Sequence, residues 1–265
     1  MSLAIGIGGG NPTSGGKTPS LTDPSSFADA FKLYRSDAGI TLTNGKWSSW
    51  ACQGTQGTAA AATSSTYYQE QVMNKGKYDF SDMFITNGAS FVASAIGAHT
   101  EGELTLQTVF APSAYLNPAV QYMTWGNQND NHIRIDVGIA SGQYMIQVII
   151  KDGGSTSYNN YLISGAVGSP FPAYPVLKLT VVFDGNEAVA ADRVKLYHEK
   201  TLWTKFSTSG TNPTTVNNGY NQYWVLSSTT ARKSTGFVGY QAVWKRKLNT
   251  DEISDNVDWM NEIWN

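Results

Sequence analysis

Cysteine is all but absent: Cys52 stands alone in 265 residues, which excludes an intrachain disulfide framework and leaves a small buried thiol as its expected role. Charge is scarce as well. Charged residues make up 14% of the chain, well below the usual quarter, and 18 basic against 20 acidic side chains leave a net charge of −2 without a basic block. That balance offers no electrostatic footprint for nucleic acid or anionic lipid. No apolar run approaches the roughly 18 residues of a membrane helix. The opening segment, Met1 to Gly10, lacks the positive stretch and apolar core of a secretory signal. No Asn-x-Ser/Thr acceptor occurs either, since Asn11 and Asn212 are each followed by Pro.

The motifs of common chemistries are missing too. His99, His132 and His198 lie far apart, and none has a second His or Cys at ligand spacing, which argues against a transition-metal centre. No Gly-x-Ser-x-Gly elbow is present, and Gly15-Gly16-Lys17-Thr18 lacks the earlier glycine of a phosphate-binding loop. Glu101-Gly102-Glu103 would set two carboxylates about 7 Å apart on one strand face. The glycine between them suits solvated turn residues better than a catalytic pair, so the expectation is a protein that is not an enzyme.

Apolar residues, at 41%, supply an ample core, and the small charged fraction means a surface built from Ser, Thr, Asn, Gln and Gly. Strand signals dominate the chain. Leu104–Phe110, His132–Val137, Tyr144–Ile150, Tyr158–Ile163, Leu177–Phe183, Val194–Tyr197, Tyr223–Leu226 and Phe237–Trp244 read as β, separated by Gly, Asn, Pro and Ser clusters. Lys151-Asp152-Gly153-Gly154 is a hairpin turn. In the closing strand, Val238, Tyr240, Ala242 and Trp244 alternate onto one face. Asn249 with Glu252 forms a capping box for a terminal helix whose apolar stripe is Ile253, Val257, Met260 and Trp264. A short helix is expected over Phe27–Tyr34. The count and spacing fit two antiparallel sheets packed face to face, over residues 25–265, after a Gly/Pro-rich arm at 1–24.

Three stretches resemble the concanavalin A-like, laminin-G-like jelly-roll family, in the versions found in phage and bacterial surface proteins. They are Gly236–Trp244 running through Leu248 into Asn249-Thr250-Asp251-Glu252-Ile253, the paired runs Pro175–Gly185 and Arg193–Tyr197, and the opening Leu33-Tyr34, Asp37–Ile40 and Trp47-Ser48-Ser49-Trp50. The resemblance implies an all-β, two-sheet antiparallel jelly-roll sandwich. The chain departs from the family pattern with Cys52 where Asp is frequent, and with Glu199-Lys200 where a strand often ends in Asp-Gly. The Glu-x-Asp-x-x-Glu motif of laminarinase-like enzymes of this fold is not matched.

Many members bind Ca²⁺ through loop oxygens, and Asn127, Asn129 and Asp130 gather such ligands. They hold a single carboxylate, so a polar turn bonding its own backbone competes with a Ca²⁺ site. No other cofactor is implied. With 8 Trp and 14 Tyr, aromatic side chains are the main argument for a binding surface. Tyr122, Trp125, Asn127 and Asp130 form one group, and Asn217, Asn218, Tyr220, Asn221, Tyr223 and Trp224 a second. Rings that pack on sugar C–H faces beside amides that bond hydroxyls would suit a glycan, and the same residues would suit protein contact. In the arm, Leu3, Ile5 and Ile7 alternate as a strand added to a neighbouring subunit's sheet would. Together these features lead to the expectation of a virion structural protein, that of a bacteriophage, made in the host cytoplasm. It would be held by its arm to other virion proteins, homo-oligomeric, and displayed for decoration or cell-surface glycan adhesion. A purely structural fibre module and a glycoside hydrolase or lyase of the same fold are the rivals.

Overall fold

The computed structural model describes residues 22–35, 39–44, 46–62, 84–85, 91–94, 99–112, 120–126, 131–140, 143–166, 176–218, 222–224 and 236–264. Within them the chain forms an all-β sandwich of a seven-stranded and a ten-stranded sheet, paired antiparallel throughout, with a C-terminal helix. A two-stranded ribbon pairs His99–Glu101 with Val216–Asn218.

The core between the sheets follows directly from alternation. Leu104, Leu106 and Phe110, with Leu179, Val181 and Phe183, point inward from the seven-stranded sheet. Ile133, Ile135 and Val137, with Ile146, Val148 and Ile150, meet them from the ten-stranded sheet. The intervening residues of the first sheet, Val109, Ala111, Val182, Tyr240, Ala242 and Trp244, bury a second core beneath the helix Thr250–Ile263. Strand Leu177–Asp184 is therefore buried at every position. Its polar members are buried with partners: Thr180 Oγ1 accepts from Gln107 Nε2 at 2.9 Å, Lys178 donates to Asn261 Oδ1 and Asp184 accepts from Lys247.

The helix begins as expected. Asn249 Oδ1 accepts from the backbone N–H of Asp251 and Glu252, both at 2.9 Å, and the Glu252 carboxylate accepts from Asn249 N at 2.9 Å. Ile253, Val257, Met260 and Trp264 are all buried. Polar side chains of this layer bond to one another: Ser26 Oγ donates to Asn256 Oδ1 at 2.6 Å, and Asn256 Nδ2 and Tyr240 Oη both donate to Gln107 Oε1 at 3.2 Å.

Two local expectations are corrected. The segment Phe27–Tyr34 is not a helix: Ser25–Asp29 is a single 3₁₀ turn, and Lys32–Arg35 is a strand. The reason is tertiary, since Lys32–Arg35 finds a ladder against the closing strand, from Lys32 opposite Val243 to Arg35 opposite Tyr240. In the closing strand itself the register shifts between Val238 and Tyr240. That bulge sends Val238 into the core between the sheets and Tyr240, Ala242 and Trp244 to the helix side, so the four residues do not share one face.

The turns obey their residue chemistry. Gly153 and Gly154 take φ of 56° and 87° between paired Asp152 and Ser155, the backbone of a two-residue hairpin turn. Glu199, at φ 52°, turns the hairpin between Val194–His198 and Thr201–Leu202. Cys52 is a free thiol, half-buried against the main core. No helix among the described residues is long and apolar enough to cross a membrane.

Candidate functional site

The fold brings the two aromatic groups of the sequence together. Tyr223 lies opposite Trp125 and Trp224 opposite Thr124 on paired strands. Asn217 and Asn218 lie opposite Thr100 and His99. Trp125, however, is fully buried in the main core, with its ring centroid 5.6 Å from Phe31 and 6.0 Å from His99. A ring with no exposed surface cannot stack on a sugar, so Trp125 is a core residue and not a carbohydrate contact. Tyr122, Tyr223 and Trp224 are described as backbone only, and Asn127, Asn129, Asp130 and Asn221, like Leu3, Ile5 and Ile7, lie outside the described residues. Among the described residues no three His, Cys, Asp or Glu side chains are grouped to hold a metal.

The two glutamates that invited an enzymatic reading are engaged in separate contacts. Glu101 Oε1 is 3.2 Å from Lys245 Nζ, which also meets His99 Nδ1 at 2.6 Å and lies 4.3 Å from the Phe31 ring centroid. Glu103 accepts from Asn186 Nδ2 at 3.1 Å and from the Lys247 backbone at 3.4 Å.

A better-formed surface lies on the flank of the sandwich. The chain leaves the edge of the seven-stranded sheet at Thr201–Leu202, crosses the flank as 203–206, and joins the edge of the ten-stranded sheet at Ser207–Ser209. Its backbone is fixed at both ends. Trp203 N donates to Leu196 O and Phe206 N to Asn160 O, each at 2.8 Å. Trp203 packs on the main core with its ring 4.8 Å from that of His198, whose burial lowers its pKa. Beside this crossing, Trp203, Thr204, Lys205 and Phe206 line a groove of about 380 Å³ with Leu162. That volume falls in the range of small-ligand clefts.

The neighbouring strand Ser155–Ala166 explains why the flank is apolar. Its alternation is inverted: Ser157, Asn159 and Tyr161 are buried, while Tyr158 and Leu162 are 40% and 36% exposed. Phe206, at 50%, joins them. The buried polar groups are tolerated because Asn212 reaches across to them. Ser157 Oγ donates to Asn212 Oδ1 at 2.6 Å, and Asn212 Nδ2 also donates to Ala190 O at 3.0 Å. On the exposed face, Asn160 sits between Tyr158 and Leu162. Its Oδ1 accepts from Gln147 Nε2 and its Nδ2 donates to Ser207 Oγ, both at 2.9 Å. The arrangement is a short platform of apolar side chains around amide and hydroxyl groups. The sequence reading missed it, although polar residues at 157 and 159 alternating with Tyr158 and Leu162 were the available signal.

No family model matches the chain, and no curated protein matches it in sequence. Solved structures do match in fold. The binding domain of botulinum neurotoxin serotype G aligns with a TM-score of 0.55 at 13% identity, over 88% of this chain and 51% of that one. A structure of botulinum neurotoxin type C, whose cell entry depends on interaction with two ganglioside molecules, aligns at 0.55 and 10%, over 87% and 51%. Trypanosoma rangeli sialidase in complex with sialic acid aligns at 0.51 and 10%, over 88% and 33%. The chain thus spans about half the length of the toxin binding domains, and at these identities the likeness is one of β-sandwich fold.

Proposed function

We propose that this chain is a non-enzymatic glycan-binding domain and that its ligand-facing surface is the flank formed by Tyr158, Leu162 and Phe206. The observation that carries the reading is the exposure of these side chains around the Asn160 amide with its Gln147 and Ser207 partners. Pyranose rings present C–H faces that pack on exposed rings, and their hydroxyls exchange bonds with amides and hydroxyls. The fold shared with a sialidase solved with sialic acid and with a ganglioside-dependent toxin supports the same reading. The engagement of Glu101 with Lys245, and of Glu103 with Asn186, supports binding without hydrolysis.

The setting we propose is a virion surface, where the lone cysteine fits assembly in a reducing cytoplasm and the sparsely charged surface fits external display. Leu3, Ile5 and Ile7 would anchor the domain to neighbouring subunits in a homo-oligomer. A glycan array probed with the full chain tests the function. Binding that falls at least about tenfold in Phe206→Ala supports the flank as the site. A wild-type chain that binds no glycan overturns the reading.

A further inference from the structure

We infer that the flank takes an internal stretch of a neutral glycan chain, at least two sugar rings long, in preference to a terminal acidic sugar. This rests on the glycan-binding reading above and specifies its ligand. Length comes from the spacing of the contacts. Tyr158 and Leu162 are four residues apart on one face of a strand, about 13 Å, with Asn160 between them. The surface therefore offers an apolar contact, a hydrogen-bonding station and a second apolar contact deepened by Phe206 and Trp203. A single pyranose cannot touch both ends. A ring, its linkage and the next ring can.

Openness comes from the sheet edge. Beside Tyr158 and Asn160 runs Ser207–Ser209, the terminal strand of the ten-stranded sheet, and all three of its residues are exposed. Small serine and threonine side chains raise no wall there, so the described residues leave room for a chain to continue past the contacts. A pocket for a chain end would close around one ring instead.

Charge decides against an acid. Carboxylate-bearing ligands are held best by the paired donors of an arginine. Among the described residues of the groove only Lys205 is charged, and its ammonium donates to the backbone oxygen of Ala191, with Asp192 close enough to act on its charge. Arg193 is committed as well, donating Nε to Glu187 O at 3.0 Å and Nη1 to Asn212 O at 2.7 Å.

Calorimetric titration of the full chain with glucan and chitin oligosaccharides of one to six units, and with sialyllactose as the acidic comparator, tests the inference. Affinity is expected to rise at least about tenfold between one and three or four units and then level off, with sialyllactose weaker than the neutral chains. Tyr158→Ala should erase the gain from the added units, whereas Phe206→Ala should weaken every ligand. Equal affinity for monosaccharide and tetrasaccharide, or a preference for sialyllactose, overturns this inference and leaves glycan binding standing. Failure to bind any glycan overturns both.

Discussion

Asn159 and Asn212, 53 residues apart in sequence, face each other as a reciprocal amide pair: Asn159 Nδ2 donates to Asn212 Oδ1 at 2.9 Å, and Asn212 Nδ2 returns a bond to Asn159 Oδ1 at 3.0 Å. Both are buried, and together they tie the loop after Ser207–Ser209 to the strand that presents Tyr158, Asn160 and Leu162. Asn212→Ala would leave Asn159 Oδ1 and the Ser157 hydroxyl without their partner in the interior, while Asn159 Nδ2 keeps the Val148 carbonyl oxygen at 3.3 Å. Unfolding in urea should show a loss of about 2 to 4 kcal/mol, with Asn212→Leu no better.

Burial and binding are expected to separate cleanly between two aromatic residues. Trp125→Ala empties a site in the main core and should cost about 3 to 5 kcal/mol, lowering the midpoint of thermal unfolding. Phe206→Ala removes a half-exposed ring and should leave that midpoint nearly unchanged while reducing glycan binding. Circular dichroism melts run beside the binding assay read both effects.

The capping box at the C-terminal helix gives a smaller and more local prediction. Asn249→Ala leaves the N–H groups of Asp251 and Glu252 without their side-chain acceptor, which should cost about 1 kcal/mol, and Asn249→Ser should recover most of it. Denaturant midpoints of the two variants provide the check.

Lys32 makes stability depend on alkaline pH. It is buried, its ammonium donates to Gln56 Oε1 and to Thr58 O at 3.2 Å, and burial lowers its pKa to about 8 against a smaller opposing effect of Cys52. The unfolded lysine titrates near about 10.4, so between these values the unfolded chain binds more protons and stability rises with pH. Urea midpoints should increase from about pH 8 to 10, and Lys32→Met should flatten the rise. Above that range the buried tyrosines reverse the trend, because burial raises the pKa of Tyr161 and Tyr240 in the fold.

The acid limb has a different origin. A hydrogen bond from Lys247 holds Asp184 below its ordinary carboxylate range, and Arg246 does the same for Glu252. A lowered folded pKa contributes stability that is present above the unfolded value, about pH 4, and is lost as pH falls through the folded one. Denaturant midpoints should drop below about pH 4, and Lys247→Met should shrink the part owed to Asp184.

Much of the architecture was legible because it is local. Alternation in Leu104–Phe110, His132–Val137, Tyr144–Ile150 and Leu177–Phe183 is a property of each strand alone, and the structure places strands over all four. The Asn249 capping box and the glycine turn at 153–154 are equally local, each formed by side chains or φ angles within a few residues. Composition likewise fixed the scarcity of charge and the single thiol.

What the tertiary structure alone decided depends on partners far away in the chain. Lys32–Arg35 became a strand because the closing strand offered it a ladder, and the bulge before Tyr240 put Val238 on the opposite face from Tyr240, Ala242 and Trp244. Trp125 is a core residue and Phe206 a surface one although both are large aromatics in polar company, since sheet pairing and packing settle which ring meets water. The inverted strand Ser155–Ala166 shows the reason most plainly. A buried amide is affordable only where another polar group is brought to meet it, and Asn212 does so from the loop after the neighbouring strand Ser207–Ser209, leaving Tyr158 and Leu162 to face outward and form the candidate site.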